Sequence, residues 1–339
     1  MADLGHERTD AILKQLEKQI RMEYQQAYRE TQQKLYDYLK ETEAGRLKQW
    51  QKLQAGEITQ TEYNDWVYRH TMVGERWEAM KNTLAADYHN ANVIARNIAN
   101  DKKADVFALN GNYATYAIEH SAKIDTAFTL YNHDTAELLL SGDREMFSYD
   151  TAKRLGLAAK KDITWNQQKI QSSVLQGILQ GESPFEVSKR LQGVAQMNNA
   201  ASIRYARTTI TSAQNEGRYE AYHRAEKVGV NLVLEWEATL DSRTRHDHRM
   251  LHGQRRKVDE PFEVDGIRIY YPAQMEGNGA SDIPQSMIQN CRCTILSWVE
   301  GFEGDTVKEA PGMGGLSFDE WQKRHTESPA AQKEATGRG

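Results

Sequence analysis

Apolar and aromatic side chains in the first part of the chain recur at helical intervals. Ile12, Leu16, Ile20, Tyr24, Tyr28, Leu35 and Leu39 are mostly three, four or seven residues apart with polar residues between them. That spacing predicts one long amphipathic helix over about 10–42, with Gly45 near its end. The stripe is narrow and rich in Tyr and Gln, so the helix needs a partner surface from this chain or another subunit. Thr59 and Glu62 stand in capping-box register and predict a helix through Trp66 and Trp77 toward Ala99. Asn100-Asp101 reads as a break, and Asn110-Gly111 as a turn before a helix through Tyr116, Ile118, Ile124 and Phe128. Thr164 with Gln167 predicts a second capping box and a helix stopping at Gly181. Ser183-Pro184-Phe185-Glu186 is a strong start signal, with an N-cap serine, proline at N1 and glutamate at N3. From Asn199 a further helix carries Ile203, Ala206, Arg207, Ile210, Ala213, Gln214, Gly217 and Ala221 toward Gly229. Arg207 shares the face of Ile203 and Ile210, where a carboxylate or carbonyls must receive its guanidinium.

After Gly229 the period changes to two. Leu232, Leu234 and Trp236 alternate with Val233, Glu235 and Glu237, and Thr294 to Trp298 supplies a second strand-like run. Asp265-Gly266 between Phe262, Val264, Ile267 and Ile269 calls for a type I′ hairpin. The predicted fold class is therefore mainly α with a small α+β module. An elongated helical region covers 1–182 and a compact module with a short antiparallel sheet covers 183–300. A flexible linker, a short helix around Trp321 (capped by Ser317 and Glu320) and a disordered tail cover 301–339.

Composition sharpens this division. All six prolines lie at or beyond position 184, and the proline-free stretch before it suits long helices. The net charge of −5 over 339 residues argues against a wholesale nucleic-acid coat. No apolar run is long enough to span a membrane, and the first residues lack the pattern of a secretory signal. Cys291 and Cys293, one residue apart, are poor disulfide partners, so reduced thiols made in a cytosol are expected.

Side chains able to bind metal concentrate between Trp236 and Trp298. His248 and His252 are spaced i, i+4, and Cys291 and Cys293 are spaced i, i+2. On a helix and an extended segment respectively, each pair shares a face, and together they would make one tetrahedral structural zinc site. The alternative is a carbonyl-bonded His248 beside two thiols acting as small apolar residues. His246-Asp247-His248 beside a hairpin also resembles the His-Asn-His type of metal-dependent nuclease, with one histidine activating water. Arg243, Arg245, Arg249, Arg255, Arg256 and Lys257 form a basic stretch that could contact phosphate, although interleaved acidic residues suit a solvated loop.

These residues together resemble a known family. Ala206-Arg207-Thr208, then Ala213 to Gly217, Trp236, Asp241 to Arg245, His248, His252-Gly253 and Asn290 to Cys293 resemble the minor head proteins of tailed bacteriophages. This is the phage head morphogenesis family with a Mu F-type domain, and the match covers roughly 185–300. The resemblance implies a structural, non-enzymatic virion protein present in few copies. It would sit at the portal vertex and act in head assembly, DNA packaging or ejection. Its partners would be the portal protein and other head or scaffold proteins and could include phage DNA, with self-association through the N-terminal helices and no membrane contact. Arg207, Asn215, Trp236, Asp241, His248, Gly253, Asn290, Cys291 and Cys293 fall on the family pattern as fold-defining positions, with no catalytic residue. Some relatives carry cysteines near Arg245 and His248, which suits a metal site with interchangeable ligands.

Overall fold

The computed structural model describes residues 3–126, 128–142, 162–275, 283–301 and 315–327. The linker and tail expected beyond Gly301 lie largely outside these residues. The described chain is mainly helical, with a small antiparallel sheet toward its C-terminal end. The helices are α1 (Leu4–Lys40), α2 (Glu43–Gln54), α3 (Gln60–Thr71), α4 (Glu75–Asn100), α5 (Lys103–Ala122) and α6 (His133–Gly142). They continue as α7 (Ile163–Leu179), α8 (Pro184–Lys189), α9 (Leu191–Lys227), α10 (His246–Leu251), α11 (Gln285–Ile288) and α12 (Phe318–Glu327). The strands are β1 (Leu232–Glu237), β2 (Arg255–Lys257), β3 (Phe262–Val264), β4 (Ile267–Ile269) and β5 (Thr294–Val299).

Local signals explain most boundaries. Thr59 and Glu62 make the reciprocal capping box, and Ser183 caps α8 with Pro184 in the first turn. Three expectations are corrected. The helix begun at Thr59 ends at Thr71, and a new one starts after Gly74, whose φ of 96° no side-chain-bearing residue adopts comfortably. The cap of α7 is Asp162, whose carboxylate accepts from Trp165 N–H, in place of Thr164. Asn110-Gly111 is no turn but lies inside α5, and α5 ends at Ala122, with Lys123 as its C-cap, before Ile124 and Phe128. Gly111 is there for packing. A Cβ on it would stand 3.0 Å from the Gly217 carbonyl, and a Cβ on Gly217 only 2.3 Å from the Phe107 carbonyl. Here α5 and α9 cross backbone to backbone.

Contacts gather the chain into two compact units, each made of separated stretches. One contains 16–98 and 152–204, the other 1–15, 99–151 and 205–339. In the first unit the predicted stripe of α1 finds its partner surface within this chain. Ile20, Tyr24, Leu35 and Leu39 are buried there, together with Trp77, Leu84, Tyr88, Ile170, Val174 and Leu191. A buried polar ladder runs among them. Tyr24 bonds Asn92 and Ser202, Asn92 donates to Asn198 at 2.9 Å, and Asn198 donates to Asn166 at 2.8 Å. Axial slip of any of these helices would orphan buried amides at about 1–3 kcal/mol each, so the ladder fixes register.

The second unit contains the sheet, in the order β2-β1-β5 with all pairs antiparallel. Trp236 pairs with Ile295, and Leu232, Leu234 and Trp236 face the core as their alternation requires. β3 and β4 form the expected hairpin, with Asp265 and Gly266 at φ of 48° and 78°. The chain's first turns complete this unit. Asp3 makes a two-pronged ion pair (2.8 and 2.6 Å) with Arg218, whose side chain is 1% exposed. Arg218 also donates to Asn110 Oδ1 and the Ile295 carbonyl. At the other end of the chain, α12 seats Phe318 and Trp321 against Tyr113 and Tyr116. The Trp321 indole donates to the buried carboxylate of Glu119 at 2.6 Å.

Candidate metal centre

Three donors converge beneath β1 and β5. His248 Nδ1 lies 3.1 Å from Cys293 Sγ and 3.7 Å from Cys291 Sγ, and all three residues are buried. Their ligating atoms lie within 4.8 Å of one another, and no fourth His, Cys, Asp or Glu joins them among the described residues. His248 Nε2 faces the Ser286 carbonyl at 3.3 Å. A carbonyl only accepts, so in the neutral ring Nε2 carries the hydrogen and Nδ1 turns its lone pair to the sulfurs.

The sulfurs are presented by a short segment that α9 holds in place. Asn290 has a φ of 52°, and its N–H donates to Thr208 Oγ1 at 3.1 Å. Thr211 Oγ1 donates to the Cys291 carbonyl at 3.1 Å. Asn215 clamps the segment twice, its Nδ2 donating to the Cys293 carbonyl and its Oδ1 accepting from Ile295 N–H. Thr208, Thr211, Asn215 and Arg218 form one buried polar ridge at helical spacing. The sequence carries that spacing, but of the four only Thr208 and Asn215 lie in the motifs singled out from sequence. The cysteines take opposite positions in titration. Burial raises the Cys291 thiol, but hydrogen bonds from Cys293, from the His248 ring in its charged form and from the Cys293 backbone N–H hold it well below its usual range. Cys293 is pushed up by its bond to Cys291 and by burial. Without a cation, one thiolate suppresses the other.

The other predicted residues have different tasks. His252 does not join the cluster, which corrects the two-His, two-Cys set. His252 caps α10 one turn above His248, its N–H donating to the His248 carbonyl at 3.2 Å, yet its ring lies outside the cluster. Its Nδ1 instead accepts from Ala238 N–H at 3.2 Å. Gly253 adopts φ 76° and donates its N–H to the Trp236 carbonyl at 2.8 Å. Trp236 is fully buried against Phe262 and the edge of His248. Asp241 receives both Arg292 guanidinium nitrogens at 2.7 Å and the Arg243 N–H at 2.8 Å, which hold its carboxyl far below the ordinary range. Arg207 is half-buried; the fully buried arginine is Arg218.

The basic stretch is largely committed to the fold. Arg245 donates to the carbonyls of Ser286 and Gln289, and Arg249 to those of Thr244 and Asp241. Arg256 bonds the Pro261 and Arg255 carbonyls, while Arg255 pairs with Glu235 and lies over Trp298. Arg243, Arg249, Arg255 and Lys257 are nonetheless exposed at the surface, while Arg245 and Arg256 are half-buried. Nor does His248 face an open cleft. Its ring is 3% exposed and both nitrogens are engaged, an arrangement unsuited to activating water on a phosphodiester.

Residues 168–296 match the family described as phage Mu protein F like protein. Minor head protein GP7 of Bacillus phage SPP1 is 30% identical over 167 residues, covering 46% of this chain and 50% of that protein. NAD(+)–arginine ADP-ribosyltransferase EFV of Enterococcus faecalis is 28% identical over 209 residues, covering 61% of this chain and 40% of its own length. The chain thus spans half or less of these relatives. No solved structure matches it significantly. No described helix is long and apolar enough to cross a membrane. Residues 168–296, which hold Asn215, Trp236 and the Asn290-Cys-Arg-Cys293 segment, are thus similar to the Mu F-like family, and part of the chain is similar to a phage minor head protein.

Proposed function

We propose that this protein is a structural component of a tailed-phage head, incorporated at the portal vertex and acting in head assembly, DNA packaging or ejection. Its partners on this reading are the portal protein and other head or scaffold proteins. The observation that carries the structural role is the use made of the polar residues between Trp236 and Trp298. Asp241, Arg245, Arg249, Arg256 and Arg292 hold backbone or one another instead of facing a cleft. Such contacts brace the shape of the segment. The test is mass spectrometry of purified heads, with cross-linking to the portal ring. A low-copy protein cross-linked to the portal is expected; absence from heads, or a location spread over the shell, would overturn the reading.

The enterococcal relative's name raises a second reading, transfer of ADP-ribose to arginine. That name belongs to a protein of which 40% is matched. Incubating the full chain with NAD and an arginine-containing acceptor should give no labelled acceptor, and labelling would install the second reading. Cleavage of phage DNA is the other rival. The full chain with Mg2+ or Mn2+ should leave DNA intact, and cleavage abolished by His248→Ala would establish a nuclease.

A further inference from the structure

The buried triad has the dimensions of a metal centre. With Zn–S near 2.3 Å and Zn–N near 2.0–2.1 Å, a tetrahedral centre has S···N edges of about 3.5 Å. The two observed edges, 3.1 and 3.7 Å, bracket that length. The Nδ1 lone pair faces both sulfurs at once because Nε2–H is directed to the Ser286 carbonyl. A carbonyl-anchored imidazole is the usual outer support of a metal-binding histidine. Two further donors suit thiolates better than thiols. The Cys293 N–H points at Cys291 Sγ at 3.4 Å, and the buried Trp236 Nε1–H finds no oxygen or nitrogen acceptor. Two buried thiolates need a compensating cation, and this donor set selects a soft divalent ion.

We propose that His248 Nδ1, Cys291 Sγ and Cys293 Sγ bind one zinc ion, with a water molecule at the fourth vertex and without His252. Binding forms two Zn–S bonds and one Zn–N bond and releases the thiol protons to solvent. The ion ties the lead-in to β5 to α10 and so fixes two elements that share no strand pairing. Arg245, which clasps the Ser286 and Gln289 carbonyls, stands beside the centre as a positioning residue.

The test uses the full chain purified without chelator. Elemental analysis should give one zinc per chain. Exchange with Co2+ should give thiolate-to-metal charge transfer and the d–d bands of a four-coordinate centre. Added imidazole or azide should shift those bands by replacing water. His252→Ala should keep one zinc, whereas Cys291→Ser, Cys293→Ser and His248→Ala should each lower affinity at least tenfold. Because those variants can fail to fold, the wild-type chain is also titrated with a mercurial. One zinc should leave as two thiols react, and alkylation of both cysteines should be slow until a chelator is added. A chain that holds no zinc as purified and takes none up would overturn the proposal. Loss of zinc in His252→Ala would replace it with a four-residue site, and bands indifferent to added ligands would remove the water.

Discussion

Asp3→Ala tests how the second unit is closed. The substitution removes both carboxylate oxygens from Arg218, whose guanidinium is 1% exposed and cannot move to water without opening the contact with Ile295. Deleting one member of a buried pair costs about 3–5 kcal/mol. Two facts place this case near the lower end, at about 3 kcal/mol. Asp3 is 22% exposed, and Arg218 keeps Asn110 Oδ1 and the Ile295 carbonyl as acceptors. For a unit of this size that corresponds to a fall in Tm of roughly 6–12 °C. The assay is thermal unfolding of the full chain, with hydrogen exchange at the amides of β5 to assign the loss to this unit. Asp3→Ala combined with Arg218→Met should be more stable than Asp3→Ala alone, because the orphaned charge is gone. The pH dependence has a defined sign. Burial raises the Asp3 carboxyl, but Arg218 more than offsets this and the folded value is depressed. The pair's contribution is therefore complete above the unfolded carboxylate value and is lost as pH falls through the folded one. Asp3→Asn should flatten that part of the acid limb. A change below about 0.5 kcal/mol in Asp3→Ala, with unchanged exchange at β5, would refute the reasoning, since surface pairs produce effects of that size.

Further outcomes follow from single contacts. Gly217→Ala should destabilise the chain by at least about 2 kcal/mol in urea unfolding, because its Cβ would meet the Phe107 carbonyl at 2.3 Å and neither backbone can yield locally. Asn215→Ala should cost about 2–3 kcal/mol and speed exchange of the Ile295 amide, which loses its acceptor. Trp321→Ala should remove the donor to buried Glu119 and the main anchor of α12. Proteolysis should then cleave within 315–327 sooner, while the amides of β1 stay protected. Asn198→Leu should break the ladder between Asn92 and Asn166 and cost about 1–3 kcal/mol, although the new side chain is apolar and similar in size.

Periodicity and capping determined a great deal by themselves. The 3.6-residue stripe of α1, the Thr59–Glu62 box, the Ser183-Pro184 start, the period-two run ending at Trp236 and the Asp265-Gly266 turn are local events. Neighbouring residues settle them, so one sequence suffices. Metal-ligand chemistry is legible as composition, which drew attention to His248, Cys291 and Cys293. An i, i+4 pair lies on one helical face, but which way each ring turns is decided by tertiary partners: His252 accepts from the Ala238 N–H while His248 meets the sulfurs. Asn110-Gly111 has the sequence of a turn, yet it is helical because α9 presents a glycine of its own at the crossing. The proline distribution divides the chain near residue 183, whereas packing divides it between discontinuous stretches, because α1 and α9 each supply residues to both units. Asp3 and Arg218 meet across 215 residues. A burial that strips water from a guanidinium is decided by which distant segment returns to it, and that information exists only once the chain has folded.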